Sequence, residues 1–185
     1  MSTEKEKMLA GELYLASDPE LVTERTHARR LMYEYNLSSP DDGEGRSSLL
    51  QQLLGHCGNN VWIEPPFYCD YGINIHFEDG VYLNFNCVLL DCAPIHIGAN
   101  TLIAPAVQIY TAYHPTDPAT RTTGLELAAP ITIGKNVWIG GGAIICPGVT
   151  IGDNTTIGAG SVVAKSIPSG VIAVGNPCRV VREIG

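Results

Sequence analysis

From Ile133 to Ser166 the chain repeats one six-residue unit, with blocks opening at Ile133-Gly134, Ile139-Gly140, Ile145-Cys146, Ile151-Gly152, Ile157-Gly158 and Val163-Ala164. The fifth place of each block is small, β-branched or both: Val137, Ala143, Val149, Thr155, Ser161 and Ile167. Six is neither the 3.6 of a helix nor the 2 of a strand, so an amphipathic helix or a simple meander is excluded. Self-similarity at a short fixed period marks a solenoid, whose rungs bury apolar side chains only by stacking on their neighbours. The fourth places hold Asn136, Gly142, Gly148, Asn154 and Gly160, residue types that tolerate positive φ. Each hexad therefore reads as a short extended segment plus a sharp corner, with its opening aliphatic residue pointing inward. Stacked segments form parallel ladders with strands roughly 4.8 Å apart. The hexad alone does not say how many faces close one coil, nor which way the coil winds.

The register continues upstream through Ile97, Ile103 and Ile109, loosens around Leu83, Leu89 and Ile95, and begins near Val61 or Phe67. It fails between His114 and Pro130, where the chain is polar and proline-rich, and this stretch (about 115–130) reads as a loop extruded from one corner. Residues 1–56 show no repeat and read as a helical N-terminal cap. Asp18-Pro19-Glu20 is an N-cap followed by proline at the first helical position, and Leu21, Ala28, Leu31, Met32 and Tyr35 form one apolar stripe. A second short helix is expected from Arg46 to Leu54, stopped by Gly55. These helices would cover the first coil, since an open sheet end invites aggregation. Residues 57–185 are then the coil with its C-terminal tail.

The net charge of −8 argues against nucleic acid and against anionic membrane surfaces. No apolar run approaches the ~18 residues of a membrane span, and the opening residues lack the apolar core of a secretory signal, so a cytoplasmic location is expected. The cysteines at 57, 69, 87, 92, 146 and 178 form no CxxC pair and read as free thiols.

Met8-Leu9-Ala10-Gly11-Glu12-Leu13-Tyr14, Tyr33-Glu34-Tyr35-Asn36, Glu64-Pro65-Pro66, Asp70-Tyr71-Gly72, Asn84-Phe85-Asn86, His114-Pro115 and Asn136-Val137-Trp138-Ile139-Gly140 follow in that order. Over essentially its whole length the chain resembles the maltose and galactoside O-acetyltransferases of the hexapeptide-repeat acyltransferase superfamily. The resemblance implies an all-β solenoid, a left-handed parallel β-helix of three-faced coils. It also implies a homotrimer with active sites between subunits, and acetyl-CoA as co-substrate with no metal required.

His114 is the residue expected to carry the chemistry. An alcohol attacking a thioester must lose its proton during attack, and imidazole is suited to take it near neutral pH. The matching family histidine is the general base. Asn84 matches a position that reaches the acceptor, where an amide would help hold the oxyanion. Asp70 and Arg25 match acceptor-contacting positions, and Asp91 is grouped with them. Glu126 either orients the imidazole or contacts the acceptor. Cys92 stands where galactoside enzymes carry a carboxylate, which favours maltose or glucose over a galactoside. For the donor, Gly140-Gly141-Gly142 permits close backbone approach, and Trp138 offers an apolar surface. By resemblance Gly141, Ala159, Ala164, Lys165, Arg179 and Arg182 fall on CoA-contacting positions. Two other readings of the coil are a γ-carbonic-anhydrase-like metal enzyme, with His96 and His114 one coil apart and His76 as the candidate third ligand, and a non-catalytic repeat scaffold.

Overall fold

The computed structural model describes residues 2–185. Inward-pointing aliphatics and left-handed corners close the chain into a prism with three parallel sheets. Face one stacks His56–Cys57, Ile75–Phe77, Ile95–Ile97, Ile131–Ile133 and Thr150–Ile151. Face two stacks Trp62–Ile63, Tyr82–Leu83, Leu102–Ile103, Trp138–Ile139, Thr156–Ile157 and Val171–Val174, with Arg179–Glu183 folding back antiparallel. Face three stacks Phe67–Cys69, Cys87–Leu90, Gln108–Tyr110, Ile144–Ile145 and Val162–Val163.

The opening residues of all six hexads and all six fifth-place residues are buried. Each apolar side chain buried in this way contributes about 1.5–3 kcal/mol relative to exposure. The corners behave as their residue types require. Asn136, Gly142, Gly148, Asn154 and Gly160 all have positive φ, between 55° and 75°. Asn136 Nδ2 also donates to Asn154 Oδ1 at 3.0 Å, tying one corner to the next. The small second place follows from the rung spacing: a Cβ on Gly140 would lie 2.4 Å from the Ala159 nitrogen.

Helix α1, Glu4–Ala10, starts on a capping box in which Thr3 and Glu6 exchange bonds. Helix α2, Pro19–Asn36, has Asp18 as its N-cap and buries Leu21, Ala28, Leu31, Met32 and Tyr35, the stripe read from sequence. It docks on the first coil through polar bonds: the Tyr35 hydroxyl donates to Ile63 O at 2.5 Å, and Asn36 brackets the Phe67 backbone with two 2.9 Å bonds. Helix α3 runs Gly43–Leu53 and so starts three residues before the expected Arg46, because the Asp42 carboxylate caps it by accepting from Gly45 N. Arg46 is buried instead of opening the helix; its guanidinium donates to Ser38 and lies over the Trp62 ring.

The segment read as an extruded loop carries secondary structure of its own. After a short helix α4, Pro118–Arg121, the chain forms a strand at Leu125–Ala128. That strand pairs antiparallel with Ala112–Tyr113 on one side and with Tyr14–Leu15 on the other. Its partner at Tyr14–Leu15 lies far away in sequence, so no local period could announce it.

Candidate active site

Asp70 and His114 leave the prism at the same corner, the one joining face three to face one. Asp70 follows the face-three strand Phe67–Cys69, and His114 follows Gln108–Tyr110 and the short strand after it. The antiparallel sheet swings Glu126 back over this corner, and α2 presents Arg25 and Arg29 from the other side. Together with Tyr71 and Cys92 they line a cavity of about 330 Å³. His114 is exposed at its rim.

Polar bonds set the walls of this cavity. The Tyr14 hydroxyl, fully buried, donates to Glu126 Oε2 at 3.0 Å and so anchors the carboxylate across the strand pair. Arg25 Nη1 donates to the Tyr71 hydroxyl at 2.5 Å and Nη2 to Ala16 O at 2.6 Å. The Cys92 thiol lies 3.5 Å from Asp70 Oδ2, within reach of a sulfur hydrogen bond. Burial pushes the Asp70 carboxyl above its ordinary value. Burial, then the Asp70 charge, pushes the Cys92 thiol far up as well. A thiol so held is a poor nucleophile.

Asp91 was grouped with the acceptor contacts, and the structure corrects this. It is wholly buried, its side chain turned beneath the cavity floor, where Oδ1 accepts from the backbone N–H of Asp70 at 2.9 Å and Tyr71 at 2.8 Å. A carboxylate with no solvent-accessible surface cannot meet a diffusing sugar. Asn84 is also apart from His114 within one chain. It sits at the corner joining faces two and three, and its Oδ1 accepts from Phe85 N at 2.8 Å. Gly141 and Ala159 share Asn84's corner. Their N–H groups find no backbone acceptor among the described residues, which leaves them able to bond a ligand. Trp138, 54% exposed, stands on face two just before this corner. Ala164 and Lys165 lie instead beyond Val163, at the corner that carries His114, and Arg179 and Arg182 are exposed on the terminal strand of face two.

Apart from Trp138, Arg179 and Arg182 on face two, the predicted residues therefore gather at the two edges of face three, one holding Asn84, Gly141 and Ala159 and the other His114, Asp70, Glu126 and Arg25 with Ala164 and Lys165. Sequence reasoning missed Arg29 and Tyr71 as cavity walls. The four-residue step from Arg25 to Arg29 on one helix face was the available signal.

A cavity of about 670 Å³ lies on face one and is lined by His56, His76 and His96 with Glu78, Lys135 and Asp153. Its histidines are register partners on successive strands, and the His76 and His96 rings stack at 4.6 Å. Stacked rings point their nitrogens side by side and do not converge on a point, and among the described residues no three potential ligands are grouped to hold a metal. The carbonic-anhydrase reading gains no support.

Comparison with known proteins supplies the context. Residues 7–58 match the maltose acetyltransferase hexapeptide capping motif, and residues 130–165 match the bacterial transferase hexapeptide model of six repeats. Nodulation protein L of Rhizobium meliloti is 53% identical over 178 residues, covering 96% of this chain and 97% of that protein. A maltose O-acetyltransferase from Clostridium difficile 630 superposes with TM-score 0.98 at 51% identity, covering 100% of this chain and 98% of that one. A galactoside acetyltransferase in complex with coenzyme A superposes with TM-score 0.97 at 45% identity, covering 100% and 92%. With a left-handed β-helix, an N-terminal capping motif and relatives this close over its full length, the chain belongs to the maltose/galactoside O-acetyltransferase family, hexapeptide-repeat enzymes that use acetyl-CoA.

Proposed function

We propose that this enzyme transfers acetyl from acetyl-CoA to a hydroxyl of maltose, glucose or a related sugar, by direct attack within a ternary complex. The observation that carries the reading is the convergence of His114, Asp70, Glu126, Arg25 and Arg29 on one small polar cavity. The His114 imidazole takes the proton of the sugar hydroxyl as its oxygen attacks the thioester carbonyl. Backbone N–H groups at the Gly141 corner and the Asn84 amide stabilise the tetrahedral oxyanion. Its collapse breaks the C–S bond, and the thiolate recovers the proton from the imidazolium, giving acetyl ester and free CoA. Holding both substrates together supplies much of the acceleration. Asp70 and Glu126 accept from the sugar's other hydroxyls, and Trp138, Ala159, Ala164, Lys165, Arg179 and Arg182 hold the donor.

The working unit is a homotrimer. Asn84 and Gly141 on one edge of face three cannot meet His114 and Asp70 on the other edge of the same chain. Cyclic packing of prisms along face three joins the first edge of one protomer to the second edge of the next. The outward ladder of face three, Tyr68, Val88, Gln108, Ile144 and Val162, is mostly apolar and suits such burial. A cytoplasmic setting fits the free thiols. At position 92 the neutral thiol cannot accept from a sugar hydroxyl as a carboxylate would, which favours maltose or glucose over a galactoside.

The test is a panel of sugar acceptors with acetyl-CoA, following thiol release, for the wild type and for His114→Ala. We expect the best acceptor to be a glucoside and the variant to lose about 10²–10⁴-fold in kcat. Full activity in the variant refutes the mechanism.

A further inference from the structure

Beneath the acceptor cavity lies a charge that the chemistry above does not use. Asp91 directly follows the face-three strand Cys87–Leu90 and is completely buried. Its Oδ1 accepts from two consecutive backbone N–H groups, Asp70 and Tyr71, and its Oδ2 accepts from Asn74 N at 3.3 Å. In return Asn74 Nδ2 donates to Asp91 O at 2.7 Å. The carboxylate and its own carbonyl thus grip both ends of the turn 70–74 from the coil below. That turn passes through Gly72 at φ +72°, where a Cβ would lie 2.5 Å from Leu53 O, so the backbone there has no freedom to shift toward the helices.

Stacking alone does not call for a charge at this place. One coil further on, Thr111 follows Tyr110 as Asp91 follows its register partner Leu90, and the neutral Thr111 hydroxyl accepts from Ala93 N at 2.9 Å and donates to Leu90 O at 2.6 Å. A buried carboxylate is costly to desolvate, and among the described residues no cation bonds to Asp91. What the charge gains is three N–H donors at once, from a turn that delivers two side chains into the acceptor cavity. Asp70 is one of them. Tyr71 is the other, and its hydroxyl holds Arg25.

We propose that Asp91 is a positioning residue of the acceptor pocket, a buried carboxylate clamp that fixes turn 70–74 and through it sets Asp70, Tyr71 and Arg25 toward the sugar. The inference rests on the acetyl-transfer reading for its assay. It adds a role that acts through the pocket walls without touching substrate. Protonation loosens the clamp, because a protonated Oδ2 becomes a donor facing the Asn74 N–H. Burial, with Asp70 beside it, pushes the Asp91 carboxyl up to about 7, and the other titratable groups around it are Cys69, Cys92 and Tyr71.

The experiment compares wild type, Asp91→Asn and Asn74→Ala on the best acceptor. KM is measured separately for acceptor and acetyl-CoA from pH 5.5 to 8.5, with the melting temperature recorded for each protein. For Asp91→Asn we expect the acceptor KM to rise about tenfold at pH 8, with kcat and the acetyl-CoA KM unchanged within about twofold. In the wild type the acceptor KM should climb as the pH falls through 7, and in Asp91→Asn it should lose that climb. Asn74→Ala keeps the carboxylate and its backbone N–H bond but removes the amide's bond to Asp91 O, so it should move the acceptor KM the same way by a smaller factor. It carries the test alone if the first variant does not fold. A merely structural Asp91 lowers the melting temperature and the active fraction, and leaves the acceptor KM and its pH profile as in wild type. That result overturns the inference, as does an equal rise in both KM values. No turnover by the wild type on any acceptor overturns the acetyl-transfer reading itself, and this inference with it.

Discussion

Ile139 and Trp138 are neighbours on one face-two strand, and the prism gives them opposite fates. Ile139 is fully buried and stands in register with Ile103 and Ile157 on the two neighbouring coils. Its flanking backbone is locked on both sides, with Ala104 N donating to Ile139 O at 2.9 Å and Gly140 N donating to Ile157 O at 2.8 Å. Ile139→Ala removes three carbons from water-free packing, a transfer loss of about 2.4 kcal/mol at 0.8 kcal/mol per methylene. Rungs held by ladder bonds cannot close on the void, so a further cavity cost of about 1–2 kcal/mol is added, for a total near 4 kcal/mol. Trp138→Ala removes a larger side chain that is half exposed and costs stability by less than about 1 kcal/mol. It should instead raise the KM for acetyl-CoA severalfold with little change in acceptor KM. The assay is urea unfolding at one fixed protein concentration, since assembly contributes to apparent stability, with steady-state kinetics on the folded variants. Equal destabilisation by the two substitutions would refute the inside–outside assignment of the coil, and an unchanged acetyl-CoA KM in Trp138→Ala would refute its donor role.

Two further predictions concern side chains rather than rungs. Tyr14→Phe deletes the donor to Glu126 without changing packing volume and should cost about 1.5–3 kcal/mol in unfolding free energy. It should also weaken kcat/KM for the acceptor, since the half-buried Glu126 carboxylate loses its anchor; unchanged stability and kinetics would show that the bond does not hold the strand pair over the site. Burial, then His96 and His56, hold the His76 imidazole below its ordinary value, so between the two values the unfolded chain binds the proton and the folded one does not. Stability is therefore full above about pH 6.5 and declines as the pH falls below it. His76→Gln should flatten that decline in melting temperature, and a variant as acid-sensitive as wild type would refute the assignment.

The parts legible in the sequence are those where each residue's job is settled within its own rung. Asn136, Gly142, Gly148, Asn154 and Gly160 were assigned left-handed corners from residue type alone, and all have positive φ. The α2 stripe was legible for the same reason, since helical spacing decides which residues share a face. The start of α3 was misplaced because a run with two glycines reads as a poor helix until the Asp42 cap is seen. Asp91 was misjudged because adjacency to a recognised motif says nothing about direction. Whether a residue at a strand end points into the cavity or under it depends on the coil above.

The chain's local code, an inward aliphatic every sixth residue and a left-handed corner between, was enough to specify a stacked coil, because each rung needs only its neighbours to bury its face. Tertiary structure alone decided that residues 125–128 form a strand, that Tyr14 reaches Glu126 across 112 positions of sequence, and that Arg29 joins His114 at one cavity. It also decided that Asn84 and His114 stand on opposite edges of one face. Those juxtapositions come from pairing between segments remote in the chain, and no period within a segment encodes which distant partner it will meet.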